Sequence, residues 1–341
     1  MHESEHLSGI ENTSEQTPYV TAELVEGEPF PLHAAPPPRP RRRKVWLPLF
    51  LFAATCLSTF FVASGVVPSE QPPQALSAEV LEELFVHRLG NIWIYAQWLD
   101  GLTYMAAVMG ILLAHEMGHF LQAMRYRVPA SLPFFIPFPI SPIGTMGAVI
   151  GMQGSIADRK QMFDIGLTGP LAGLLVAVPV TWSGIQTAEP FVQPIRGTVQ
   201  HYADPLLFKL LIGYLRPELA PGTELTMNPL LMAGWVGMLI TGLNMVPISQ
   251  LDGGHVSYAL FGRRAHLIAR GFLLFVIASM IIYGLYMWTL MVILVMVIGT
   301  DHPPTANDNA RIGPLRWIIG FTSLAIPILC LTPRPFDIIS F

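Results

Sequence analysis

The sequence predicts an all-α polytopic membrane protein with about seven transmembrane helices and a short re-entrant extended segment between the second and third. Of its 341 residues, 52% are hydrophobic and only 12% are charged. Soluble proteins carry about 25% charged residues, so an ordinary water-soluble enzyme is excluded. The mean hydropathy of +0.50 also favours the lipid bilayer as the surroundings of this chain. A net charge of -4 gives no reason to expect a nucleic-acid partner.

Residues 1–44 differ from the rest of the chain. They contain seven glutamates and a proline cluster at 36–40. Too few apolar side chains are present to offset the entropy cost of ordering such a segment. We therefore expect a disordered, acidic and proline-rich tail at 1–44, followed by a membrane-embedded domain at 45–341.

Seven apolar segments approach the length of about 20 residues that spans a hydrocarbon core. They cover residues 46–67, 102–124, 165–183, 229–249, 264–283, 285–299 and 313–331. The uncharged run at 271–299 is long for one span and short for two. A break at Tyr283-Gly284 favours two spans here, and hence seven rather than six in total.

The basic residues predict the orientation, because cytoplasmic loops carry an excess of Lys and Arg. If the 1–44 tail is cytoplasmic and the spans alternate, 14 of the 19 basic residues lie on the cytoplasmic side. We therefore expect a multi-pass protein of the cell (inner) membrane with a cytoplasmic N-terminus.

Ionisable side chains in the second span need an explanation, because each costs at least about 2.5–3.5 kcal/mol near the bilayer centre. His115, Glu116 and His119 form a His-Glu-x-x-His pattern. Residues i and i+4 share a helix face, so both histidines can bind one metal ion while Glu116 takes a proton from a water. The alternative is a pair of histidines that bond backbone carbonyls in a helix bundle.

A catalytic zinc ion takes three protein ligands and keeps one position open for water. Asp252 is the only acidic residue between Glu224 and Asp301, and we place it at the cytoplasmic end of the fourth span. In the predicted topology, the second and fourth spans both run towards the cytoplasm. Asp252 and the histidines therefore reach the same side, which makes Asp252 the candidate third ligand of one Zn²⁺ per chain.

Other polar residues are open to two interpretations. His255 is either a fourth ligand, which would close the metal site, or a supporting residue, which we favour. Asn244 either forms a helix–helix hydrogen bond or donates to a substrate carbonyl. His201 and His302 lie in polar stretches and are expected at the surface.

Residues 131–153 are apolar but too rich in proline and glycine for a spanning helix. Non-helical backbone survives at membrane depth only where protein or a water-filled cavity covers it. Residues 144–150 are either an extended re-entrant segment that offers its edge to a substrate or a plain interfacial loop. In the first case Gly144, Thr145 and Gly147 bind substrate.

The chain resembles the site-2 protease family of intramembrane zinc metalloproteases, peptidase family M50. Three elements carry the resemblance: the His115–His119 motif, the 163–173 stretch with its Gly-Pro-Leu-Ala-Gly, and the segment from Asn244 through Pro247 to Asp252. It implies that His115, His119 and Asp252 bind zinc, that Glu116 is the catalytic base, and that Asn244 helps to hold substrate. The catalytic core then spans about residues 102–255. No stretch resembles the inserted PDZ domain of some members.

The predicted function is intramembrane zinc metalloendopeptidase, cleaving transmembrane segments near the cytoplasmic face. The expected partner is a membrane protein, with a single span as the favoured form. A prenyl-protein endopeptidase is disfavoured because no glutamate follows Glu224 to serve as a third ligand. The remaining alternative is a non-proteolytic scaffold or metal-binding transporter of related architecture.

Overall fold

The computed structural model describes residues 45–64, 98–191, 198–220 and 223–340. The predicted disordered tail at 1–44 lies outside the described residues. The helices in the described part are α1 (Trp46–Ala63), α2 (Trp98–Arg125), α3 (Arg159–Thr187), α4 (Leu206–Leu215), α5 (Pro229–Asn244), α6 (Asp252–Phe261), α7 (Ala265–Tyr283), α8 (Thr289–Ile298), α9 (Pro314–Ser323) and α10 (Ile326–Cys330). The strands are β1 (Phe134–Phe138), β2 (Gly144–Val149), β3 (Thr198–Tyr202) and β4 (Phe336–Ser340).

Four helical segments in the described part are long and apolar enough to cross a membrane. They are α1, α2, α3 and the segment Asp252–Tyr283, in which a 3₁₀ turn joins α6 to α7. The remaining predicted spans correspond to shorter helices, of which α5 has 16 residues. The protein is thus a mostly helical integral membrane protein, and the count of seven spans stays a prediction.

The fourth predicted span ends earlier than the sequence suggested. Helix α5 stops at Asn244, and Asp252 is the first residue of α6 rather than the end of the fourth span. Pro247 lacks the N–H that would continue the helix, and Ser249 has a positive φ of 52°, which a helix cannot accommodate. The interruption ends α5, and a new helix begins at Asp252.

Strands β1 and β2 form an antiparallel hairpin, with Phe134 opposite Val149 and Phe138 opposite Gly144. The extended conformation predicted for 144–150 is therefore confirmed, whereas its re-entrant position in the bilayer stays a prediction. Strands β3 and β4 pair in a second sheet, which the sequence did not predict. The all-α prediction was wrong to that extent, because a strand beginning at Thr198 finds its partner more than 130 residues later, beyond the reach of local patterns.

Helices α2, α3 and α5 pack against one another in the centre of the described structure. Tyr104 of α2, Phe163 of α3 and Trp235 of α5 are each 2% exposed or less. Helix α3 begins with a capping box, in which Asp158 accepts from the Gln161 backbone and Gln161 accepts from the Asp158 backbone. This cap fixes the first turn of α3, just before Ile165 and Gly169, which lie against His119 of α2.

Candidate metal centre

Three of the predicted site residues converge between α2 and α6. His115 and His119 lie one turn apart on α2, and both are buried. The Asp252 carboxylate faces both rings, with Oδ2 at 3.2 Å from His115 Nε2 and Oδ1 at 3.3 Å from His119 Nε2. These three residues form the one group of metal-ligating side chains found among the described residues, with ligand atoms within 4.8 Å of one another.

The geometry of this group fits zinc. Zn–N and Zn–O bonds of about 2.0–2.2 Å in a tetrahedral site place neighbouring ligand atoms about 3.3–3.5 Å apart, close to the two observed separations. His119 Nδ1 lies 2.7 Å from the carbonyl oxygen of Ile165. A carbonyl only accepts, so Nδ1 carries the proton and Nε2 is left free to bind a metal. Two imidazoles and one carboxylate leave the fourth tetrahedral position open.

Glu116 lies beside these ligands in the wall of a cavity of about 310 Å³. Its side chain is 4% exposed, and its neighbours in the cavity wall include His115, His119 and Asp252. A buried carboxylate in this position can accept a proton from a water in the cavity. The structure thus brings together all four residues that the two sequence motifs contributed.

Asn244 also reaches the site. It is the last residue of α5, and its Nδ2 lies 3.3 Å from His115 Nε2. The amide lines the same cavity as Glu116. A donor in this position can reach a substrate carbonyl that approaches the metal ligands.

Glycines of α3 let this helix approach the ligand-bearing face of α2. A Cβ atom built on Gly169 would overlap the imidazole of His119, at distances well under 3.0 Å. One built on Gly118 would lie 2.6 Å from the carbonyl oxygen of Thr168. Gly169 therefore lies directly against a ligand histidine, and only a residue without a side chain fits there.

An ion pair holds the second turn of α3. Arg316 of α9 donates to both carboxylate oxygens of Asp164, at 2.7 and 2.9 Å, and Tyr126 donates to the same carboxylate. Asp164 directly precedes Ile165, whose carbonyl accepts from His119. The ion pair thereby connects α9 to the backbone that orients a metal ligand.

His255 and His302 differ from the expectations for them. His255 lines the cavity but does not join the group of three ligands, which agrees with a supporting role rather than a fourth ligand. His302 was predicted at the surface, and this was wrong: it is 5% exposed and also lines the cavity. The ring of Tyr258 stacks on it at 4.3 Å, a contact between distant residues that sequence spacing does not reveal. The His201 side chain lies outside the described residues.

The predicted substrate-binding residues of β2 are not all at the cavity. Thr145 is buried within the hairpin, where its hydroxyl donates to the Ile136 carbonyl. The Gly144 carbonyl accepts from Ser58 of α1. Neither residue nor Gly147 lines the cavity, and their role in binding substrate stays a prediction. The end of the strand lines the cavity instead, with Ala148, Val149 and the following Ile150.

Comparisons with known proteins agree with this geometry. The model of peptidase family M50 matches residues 103–286, more than half of the chain. "Probable zinc metalloprotease EGY1, chloroplastic" of Arabidopsis thaliana is 31% identical over 236 residues, which cover 66% of this chain and 42% of that protein. "Probable zinc metalloprotease EGY2, chloroplastic" of the same plant is 29% identical over 229 residues, covering 64% and 36%. The rice (Oryza sativa subsp. indica) protein "Probable zinc metalloprotease EGY3, chloroplastic" is 26% identical over 258 residues, covering 69% and 42%.

The aligned segment spans less than half the length of each of these relatives. No solved structure matches the chain. The matched region begins at the start of α2 and extends past α7, so it includes both histidines, Glu116, Asn244 and Asp252. By the extent of this match, and in agreement with the resemblance in its motifs, the chain belongs to peptidase family M50, the site-2 protease family.

Proposed function

We propose that this protein is an intramembrane zinc metalloendopeptidase in which His115, His119 and Asp252 bind one Zn²⁺ and Glu116 is the catalytic base. The observation that carries the proposal is the convergence of two imidazole nitrogens and a carboxylate at 3.2 and 3.3 Å beside a buried glutamate. Named relatives described as zinc metalloproteases support the same chemistry. Zinc, when bound, polarises a carbonyl and lowers the pKa of a water to about 7.

Each residue around the metal has a different role in peptide hydrolysis. Glu116 accepts the proton of the attacking water and then delivers it to the nitrogen of the departing amine. Asn244 Nδ2 donates to the substrate carbonyl oxygen as negative charge develops there. The second nitrogen of His119 is held by the Ile165 carbonyl, so the ring keeps its orientation throughout.

The substrate class follows from the position of the site on its helices. His119 lies six residues before the end of α2, about 9 Å along a helix about 42 Å long. This position supports our proposal that the site lies inside the membrane, near the face that carries Arg125. A transmembrane substrate must unwind to expose its carbonyls. Strand β2 pairs with β1 along one edge, and no other strand in the described part pairs with its second edge. We propose that the unwound substrate pairs with this edge of β2 and enters the cavity alongside Val149, at the end of the strand.

We further propose that this face is cytoplasmic, so that cleavage releases the cytosolic part of a substrate. The basis is the 14-to-5 distribution of basic residues. The plant relatives are named chloroplastic. For the present chain we propose the cell (inner) membrane, with the N-terminus in the cytoplasm.

A metal-binding transporter is less well supported. A transport path needs ligands at more than one depth of the membrane. In residues 45–64, 98–191, 198–220 and 223–340 a single cluster of three candidate ligands is found. Retention of Glu116 beside those ligands likewise favours an enzyme over a silent scaffold.

The decisive experiment is Glu116→Gln in purified protein, reconstituted with a single-span test substrate. Zinc content should equal that of the wild type, because Glu116 is no ligand, while the cleavage rate falls by about 10²–10⁴-fold. Wild-type activity in this variant refutes the base. A zinc-loaded wild type that cuts no membrane substrate refutes the function.

Orientation is tested by cysteine labelling at the two ends of α3. Cys56 and Cys330 are first replaced by alanine, and single cysteines are then introduced at the exposed positions Ser155 and Glu189. With an impermeant thiol reagent outside intact cells, Glu189→Cys should react and Ser155→Cys should react only after permeabilisation. The reverse pattern refutes the cytoplasmic position of the site.

A further inference from the structure

The segment that joins α8 to α9, residues 299–313, forms part of the wall of the catalytic cavity. It is tied to the catalytic end of the bundle by backbone hydrogen bonds from Ser249 to Thr300, at 3.1 Å, and from Ala306 to Ala157, at 2.9 Å. The Arg159 guanidinium also donates to the carbonyl of Asp308. His302 of this segment lines the cavity together with His255 of α6. Neither histidine has a role in the mechanism described above.

The two histidines form a directly bonded pair. His255 Nδ1 lies 2.7 Å from His302 Nε2, and the rings meet edge to face. His302 is fixed on its other sides as well. Tyr258 stacks on its ring and donates to Asp308 Oδ2 at 2.9 Å, and His266 Nε2 donates to the His302 carbonyl at 3.2 Å. The pair is therefore held rigidly.

The hydrogen bonds determine which nitrogens carry protons. His302 Nδ1 lies 2.5 Å from the carbonyl oxygen of Pro303, which can only accept, so Nδ1 carries a proton. Burial lowers the pKa of His302, so its ring is neutral and Nε2 has a lone pair. His255 Nδ1 must then donate to that lone pair. If His255 is also neutral, its own Nε2 carries a lone pair and no proton.

This Nε2 of His255 has no hydrogen-bond partner among the residues that the structure describes, although the ring lines the cavity. It is not one of the three clustered ligands either. The ring lines the cavity, so this acceptor is accessible to a donor on a molecule that enters the cavity. An extended peptide supplies such donors, because it carries one backbone N–H per residue, while the metal site and Asn244 engage only carbonyl oxygens.

We propose that His255 Nε2 accepts a hydrogen bond from a backbone N–H of the substrate, close to the scissile bond, and that His302 is the positioning residue that fixes the His255 ring. The inference rests on the proposed function, since it needs a peptide in the cavity. It assigns to α6 a second task besides carrying Asp252. It also makes residues 299–313 a part of the substrate-binding site.

The test uses a single-span peptide substrate and analogues in which one backbone N–H near the cut, but not that of the scissile bond, is replaced by an ester oxygen. Loss of one hydrogen bond should lower kcat/KM of the wild type about fivefold at one position of the series. In His255→Leu the same analogue should be cut at the same rate as the unmodified peptide. His255→Gln retains an acceptor and should regain part of the sensitivity.

His302→Leu should reduce kcat/KM by a similar factor, and the double variant should be no worse than His255→Leu, because His302 acts through His255. Zinc content and thermal unfolding are measured for every variant, and zinc content should not change. Additive losses refute the positioning role, and zinc loss in His255→Leu identifies a ligand and overturns the proposal. Equal ester sensitivity in wild type and His255→Leu refutes the inference alone, whereas a zinc-loaded wild type without cleavage refutes the proposed function itself.

Discussion

The contact between Gly169 and His119 allows a sharp test of the metal site, in the variant Gly169→Ala. The added methyl would overlap three atoms of the His119 imidazole, Nε2 among them, at distances far below ordinary van der Waals contact. Either the ring moves by about 1 Å or α3 separates from α2. Ligand distances in a zinc site tolerate only about ±0.2 Å. We therefore expect Gly169→Ala to lower zinc affinity by at least about 100-fold, comparable to or beyond the loss of a supporting residue.

Two other glycines provide a graded series. A Cβ on Gly110 of α2 meets nothing within 4 Å, so Gly110→Ala should bind zinc normally. It should also stabilise its helix by up to about 1 kcal/mol. A Cβ on Gly173 would lie 3.1 Å from His115 Nδ1, which requires a shift of a few tenths of an ångström. Gly173→Ala should fall between the two, whereas Gly169→Ala pays an overpacking penalty of about 1–3 kcal/mol in addition to its loss of zinc.

The assay is metal content of the purified protein after equilibration against a zinc chelator of known affinity, with thermal unfolding in detergent alongside. Zinc affinity should decrease in the order Gly110→Ala, Gly173→Ala, Gly169→Ala. Wild-type zinc affinity in a folded Gly169→Ala would refute the geometry, since His119 Nε2 could not then bind the metal beside α3.

Three further predictions follow from other contacts. Asp252→Ala should lose zinc while staying folded, because two imidazoles alone hold the ion weakly; full zinc occupancy would remove Asp252 from the ligand set. Arg316→Lys should lower activity about 10-fold, because lysine cannot donate in parallel to both oxygens of Asp164 and the Ile165 carbonyl loses its support; unchanged activity would separate this ion pair from the site. Burial by itself would raise the pKa of Asp308, but hydrogen bonds from Thr305 outweigh it and hold this pKa below its usual value. The contribution of Asp308 to the anchoring of 299–313 should thus be complete above about pH 4 and lost as the pH falls through the lower folded-state pKa. Hydrogen exchange of this segment would detect the change, and Asp308→Asn should remove its pH dependence.

Local periodicity made much of the metal centre predictable. His115 and His119 share a helix face because they are four residues apart, whatever the rest of the fold does. Asp252 could be found because it is the only acidic residue between Glu224 and Asp301, so it stands out in an apolar part of the sequence. These arguments use only the spacing of residues on a helix and the free-energy cost of an ionisable side chain in the bilayer. The structure brings the three residues together at separations that suit the ligand atoms of a zinc site.

The wall around the centre could not be predicted in the same way. His302 is buried because Tyr258 stacks on it and residues 299–313 fold over α6, contacts between residues at least 44 positions apart. Strand β3 pairs with β4, which lies more than 130 residues later in the sequence. Nothing in composition or periodicity specifies such pairings. The exact start of α6 was also missed, since Pro247 and Ser249 end α5 where hydropathy continues.

Helix α3 supplies no ligand to the metal, yet it determines where both ligand histidines lie. The Ile165 carbonyl fixes the proton and the plane of His119, and the Thr168 hydroxyl donates to the Gly118 carbonyl between the two histidines at 3.1 Å. A side chain at Gly169 would exclude the observed ring position. The glycine-rich motif of α3 and the His-Glu-x-x-His motif of α2 therefore lie on the two facing surfaces of one helix–helix contact. Substitutions on α3 that displace a ligand ring, such as Gly169→Ala, should consequently weaken zinc binding although they remove no ligand.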